Sequence, residues 1–145
     1  MKIYQLGPLC LMAFVACVSI NRDPGLKISY YPNGKIKSIK HYDDTLLHGE
    51  AVWFYPSGVV EQKAQFVDGF RDGPCYNFFP SGRLQWYRLF RLGQRSKMGI
   101  DYYDSPILIV RSLLFYNDSG QVYRRQNFDE NGHFTNEEWK RDNVK

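Results

Sequence analysis

The chain has 145 residues, 43% of them apolar and 17% aromatic, which suffices for one modest domain and is too rich in large apolar side chains for a disordered protein. Its 19 Lys and Arg stand against 15 Asp and Glu. The resulting formal charge of +4 is far from the balance of a dedicated nucleic-acid binder.

In chain order, the first feature is "MKIYQLGPLCLMAFVAC", with one early Lys, a mostly apolar run and the small residue Ala16 before Cys17. That layout reads as an export signal. Gln5, Gly7 and Pro8 interrupt it, whereas a membrane-spanning helix needs about 20 mostly apolar residues. The ending "FVAC" resembles a bacterial lipobox, whose Cys is diacylated and becomes the first residue of the mature chain; Phe14 stands where that motif usually has Leu. Ordinary cleavage after Ala16 would want a small residue in place of Phe14. The expectation is therefore a signal peptide over 1–16, lipidation at Cys17 and a linker to residue 27, with a single-pass N-terminal anchor as the alternative. Of Cys10, Cys17 and Cys75 only Cys75 then keeps a free thiol, and on a predicted strand it reads as a small buried hydrophobe.

From residue 28 a repeat takes over. Gly34, Gly58 and Gly82 lie 24 residues apart, each in a Pro-X-Gly turn, and Pro106 continues the spacing in a degenerate fourth copy. Six residues before the turn stand Ile28, Val52, Tyr76 and Ile100; four before stand Tyr30, Phe54, Phe78 and Tyr102. Two after it stand Ile36, Val60, Leu84 and Leu108; eight after stand Tyr42, Phe66, Phe90 and Leu114. Even spacing within each arm is the period of a β-strand, and Gly supplies the positive φ of a tight turn, so each unit is predicted to be a β-hairpin. A lone hairpin is marginal in water, but stacked hairpins align these columns into ladders and bury a continuous surface. A second turn between units is expected at "LLHGE", "FRDGP" and "GQRSK", where Gly49 and Gly73 match and Lys97 replaces Gly. Tyr116, Gly120, Val122 and Phe128 then keep the columns at a shorter spacing, read as tighter turns. The repeat domain is expected over 28–134, with a polar tail over 135–145 that suits either a cap or a frayed end.

Aromatic pairs followed by Pro, Asn or Ser, Gly and an apolar residue, as in "YYPNGKIKS" and "FFPSGRLQW", resemble the MORN-repeat family, and more closely its bacterial variant, over about 28–128. The resemblance implies an all-β fold of repeated antiparallel β-hairpins forming an elongated, twisted single sheet. It also implies an interaction or membrane-associated module, and some bacterial members serve as antitoxin or immunity components.

No catalytic constellation stands out. His41, His48 and His133 are scattered without zinc-ligand spacing, and Asp43, Asp44, Asp68, Asp72, Asp118 and Asp129 fall in predicted turns. No phosphate-loop pattern is present, and neither a metal nor a cofactor is expected. An exported enzyme would need a clustered acid, base or nucleophile that the hairpins keep apart. Two sets of residues suit binding instead. Trp53, Tyr55, Phe79 and Tyr103, with Tyr31, share the parity opposite the ladders and form a candidate aromatic surface for a protein partner. Arg83, Arg88, Arg91, Arg95 and Lys97, interleaved with Trp86, Tyr87 and Phe90, suit an acidic partner or anionic lipid head groups near an acylated Cys17, while export argues against RNA. The localisation that follows is the bacterial cell envelope, by lipid anchor.

Overall fold

Short alternating segments separated by turns, most of them containing Gly, become strands throughout the computed structural model, which describes residues 25–140. The strands are β1 (Leu26–Tyr30), β2 (Ile36–Asp43), β3 (Leu46–Phe54), β4 (Val60–Val67), β5 (Phe70–Phe78), β6 (Leu84–Arg91), β7 (Gln94–Tyr102), β8 (Val110–Tyr116), β9 (Val122–Phe128) and β10 (Phe134–Trp139). They form one open sheet in sequence order, every neighbouring pair antiparallel. This is the all-β, single-sheet hairpin meander expected from the repeat. Pairing runs on through Trp139 of β10, within the segment 135–145 expected as a polar tail.

Two kinds of turn alternate. In the first, the amides of Tyr31, Tyr55 and Phe79 each donate at 2.8 Å to the carbonyl four residues on, and the amides of Gly34, Gly58 and Gly82 donate back. Their positive φ values, 79, 95 and 84°, are why Gly recurs there. The second kind is a two-residue turn at Asp44-Thr45, Asp68-Gly69 and Leu92-Gly93, not at Gly49 and Gly73 as the spacing suggested. Both central residues of the latter two turns have positive φ, the backbone that matches strand twist in tight hairpins. Gly49 and Gly73 lie inside β3 and β5 with φ of 92 and 111°, opposite Phe66 and Phe90, near the register shifts where the strands bulge. Lys97 takes the same left-handed backbone in β7, with φ of 58°.

The fourth hairpin departs from the period. Pro106 cannot take the positive φ of the turn glycine, and the loop is two residues longer: Tyr102 pairs with Val110, and Leu108, expected on the ladder, is 71% exposed at the tip. The shift carries forward, so Tyr116 rather than Leu114 continues the core-face column of Phe66 and Phe90. The later turns, closed by Asn117 to Gln121 and Asp129 to His133, are the five-residue kind again and not tighter ones. The rhythm shortens because the two-residue turns disappear.

Burial favours the face opposite the first two expected ladder columns. A row of directly paired residues, Lys40, Ala51, Ala64, Cys75, Arg88, Gly99 and Leu114, crosses seven strands, and within it Ala51 and Cys75 are only 1% exposed. Phe66 and Phe90 complete this core, with Leu47, Trp53 and Trp86 packed against it. With no second layer among the described residues, small side chains are covered by large neighbours on their own face, at roughly 1.5–3 kcal/mol for each large side chain fully buried. The other face carries Ile28, Ile39, Val52, Lys63, Tyr76, Tyr87, Ile100 and Leu113 in one row, mostly half-buried because side chains of similar height shelter only each other's flanks.

Candidate interaction surface

Strand alternation puts Trp53 on the core face, and Tyr55 continues that parity into the turn, as do Phe79 and Tyr103 in theirs. Trp53 is half-buried, its ring 6.2 Å from Phe66. The tyrosines tie hairpin to hairpin: the hydroxyls of Tyr31, Tyr55 and Tyr103 donate to the carbonyls of Phe54, Phe78 and Phe128 at 2.6, 2.7 and 2.9 Å. Phe79 occupies the same column without a hydroxyl. Three of these aromatics thus secure the stack through their polar ends.

The basic set divides. Arg83 sits 3.1 Å from Asp104, which also accepts a hydrogen bond from the Ser81 hydroxyl at 2.7 Å. The Ser81 hydroxyl, and then Arg83, hold the Asp104 carboxyl below the usual carboxylate range. Arg88 is nearly buried on the core face, pairs with Asp101, and donates to the carbonyls of Tyr87 and Ile100 at 2.7 and 2.9 Å. These two arginines serve the fold.

Arg91, Arg95 and Lys97 do not share that fate. They line one side of an open cleft of about 520 Å³ whose other wall is Tyr116, Asn117 and Asp118, at the turn between β8 and β9. Among the described residues none of the three cations forms an ion pair. The Arg95 guanidinium lies 5.9 Å from the Tyr116 ring, within cation–π range. Three cations against one carboxylate suit an anionic ligand, and guanidinium groups suit carboxylates or phosphates through paired N–H donors. The sequence did not place Tyr116 there, because its position depends on the two extra residues of the fourth loop.

Sequence reading also missed a stripe of cations on the core-face aromatics. Lys40 lies 5.3 Å from the Trp53 ring, Arg71 5.6 Å from Phe90 and Arg88 5.3 Å from Trp86. Lys40 and Arg71 meet their rings from the adjacent strand, which becomes readable only once register is known, whereas Arg88 and Trp86 are alternate residues of β6. Cys75 is buried beside Arg71 and Arg88; burial pushes its thiol above the ordinary value, against the pull of the two guanidinium groups. A protonated, covered thiol is a poor nucleophile. His41 bonds the Glu50 carbonyl, while His48 and His133 face Asp68 and Asp129 at 3.4 Å. Cys17 lies outside the described residues.

A single open sheet of serial hairpins with a basic cleft at one turn defines a hairpin-repeat protein. Residues 24–44 and 47–68 match the MORN repeat variant, so the first two units are repeats of that kind. Such repeats suggest a module for interaction with proteins or membranes. No curated protein matches the chain.

Proposed function

We propose that the chain is a non-enzymatic, exported lipoprotein acting as a protein-interaction module at the cell envelope, and that it receives an acidic segment of its partner in the cleft of Arg91, Arg95 and Lys97. The observation carrying this reading is the division of the arginines: Arg83 and Arg88 are neutralised by Asp104 and Asp101, whereas the cleft cations have no ion-pair partner among the described residues. A lipid on Cys17 would hold the module at a membrane, where each basic residue near anionic head groups contributes about 1 kcal/mol. Anionic head groups are therefore the competing occupant of the same cleft.

Binding of a fluorescent acidic peptide and of vesicles containing anionic lipid separates the two, with Arg91→Ala/Arg95→Ala compared against Arg83→Ala. The double substitution should weaken peptide binding at least tenfold and Arg83→Ala should leave it unchanged. Equal binding by all three proteins removes the cleft from the function. Fatty-acid labelling that persists in Cys17→Ser removes the lipid anchor. Should an envelope pull-down through the intact cleft recover a toxin, the module becomes an immunity protein.

A further inference from the structure

Among the described residues the sheet has two open edges, β1 and β10, and every residue of both strands is exposed. Neither carries the proline that commonly blunts an edge, and each displays large apolar side chains: Ile28 and Tyr30 at 42% and 60%, Phe134 and Trp139 at 57% and 60%. Their charges are opposite. The only ionisable side chain of β1 that carries charge at neutral pH is Lys27; in β10 Glu137 is paired with Arg124 at 3.1 Å, which leaves Glu138 as the acid without an ion pair among the described residues.

Backbone parity and face agree with that complementarity. The Tyr42 amide donates to the Gly25 carbonyl, so the alternate residues Leu26 and Ile28 turn their own amides and carbonyls away from β2. The Lys140 amide donates to the Tyr123 carbonyl, so Glu137 and Trp139 turn theirs away from β9. Antiparallel pairing of β10 with the β1 of a second copy can then set Trp139 against Leu26 and Glu137 against Ile28 as hydrogen-bonded pairs. Between them Glu138 meets Lys27, and Asn136 meets Ser29. Glu138 shares the face of Arg125, and Lys27 that of Lys40, so this register keeps both faces continuous across the junction. Sliding by two residues either way loses the Glu138–Lys27 match and shortens the overlap.

We infer that copies of this chain associate head to tail, β10 of one on β1 of the next, into an open, growing sheet. Self-pairing of like edges is disfavoured, since two β10 strands bring Glu138 toward its equivalent and two β1 strands gather lysines without an acid. A heterologous contact of this kind is not self-complementary, and so adds copy after copy where an isologous contact would stop at a dimer.

The test is sedimentation of the full chain in a neutral detergent over a hundredfold range of concentration. The average mass should rise continuously with concentration. Lys27→Glu and Glu138→Lys should each weaken association at least tenfold, and the double exchange Lys27→Glu/Glu138→Lys should restore it. Failure of the double exchange to restore association overturns the proposal, as does a mass that stops at a dimer or one that ignores both single substitutions. A second measurement does not depend on tolerance of charge reversal: in a Cys10→Ser/Cys17→Ser background, Lys27→Cys with Glu138→Cys should yield a disulfide ladder of oligomers. Within one copy these positions lie nine strand spacings apart, roughly 40 Å, so only an intermolecular bond can form. Absence of the ladder under oxidation counts equally against the idea.

Discussion

The column formed by Tyr31, Tyr55, Phe79 and Tyr103 contains its own control. Each tyrosine hydroxyl reaches a carbonyl of a later hairpin, and Phe79 makes no such bond. A half-buried hydrogen bond of this type contributes a net ~0.5–1.5 kcal/mol. Tyr55→Phe should therefore lower stability by about 1 kcal/mol in urea denaturation, and Phe79→Tyr should raise it by up to a similar amount by reaching the Tyr102 carbonyl. A change in Tyr55→Phe below a few tenths would mean the hydroxyl is equally well served by water. The aromatic character of this column was legible in the sequence. Its polar function was not, because the acceptor is a backbone atom about one repeat away and leaves no mark on residue identity.

Among elements, the bulged strands distinguish glycines that look alike in a repeat. Gly73 has φ of +111°, and an added Cβ would stand 3.2 Å from that of Gln65. Gly73→Ala should thus cost about 1–3 kcal/mol, read from the denaturation midpoint. Lys97→Gly relieves a left-handed lysine and should stabilise by at most about 1 kcal/mol, since glycine also frees the unfolded chain. The last turn responds to acid. The amides of His133 and Asn131 donate to the Asp129 carboxylate at 2.9 Å, and the His133 amide is the main cause holding that carboxyl below its usual range. With the folded value depressed, the turn's extra stability is present above the unfolded value, about 3.9, and is lost as pH falls through the folded one. Protection of the two amides from exchange should fall below about pH 4, and Asp129→Ala should show low protection at neutral pH with little acid dependence. Strand positions and the Pro-X-Gly turns were readable because they depend on local backbone demands. The second turns were misplaced since a bulge and a tight turn both call for positive φ, and spacing alone does not tell them apart.

For the whole molecule, the substantial contacts run only between strands that follow one another in the chain. Stability then resembles a sum of unit and neighbour terms, without one core reached by every element. Hydrogen exchange should be slowest around β4 to β6, where Ala64, Phe66, Cys75 and Phe90 are buried, and fastest at β1 and β10. Uniform protection across all ten strands would contradict that gradient. The single-sheet architecture was evident from the 24-residue period, but the side that buries its core was not. Alternation yields two candidate sides, and the recurring small residues Ala51, Cys75 and Gly99 marked the answer less loudly than the aromatic columns. The basic cleft was legible on one wall only. The tyrosine hydroxyls carry one last consequence: since the acceptor of Tyr31, Tyr55 and Tyr103 resides in a later copy of the unit, a tandem duplication of a tyrosine-bearing unit would arrive with its joints already cut to fit. Lengthening the sheet by a whole repeat then needs no new joint to be invented.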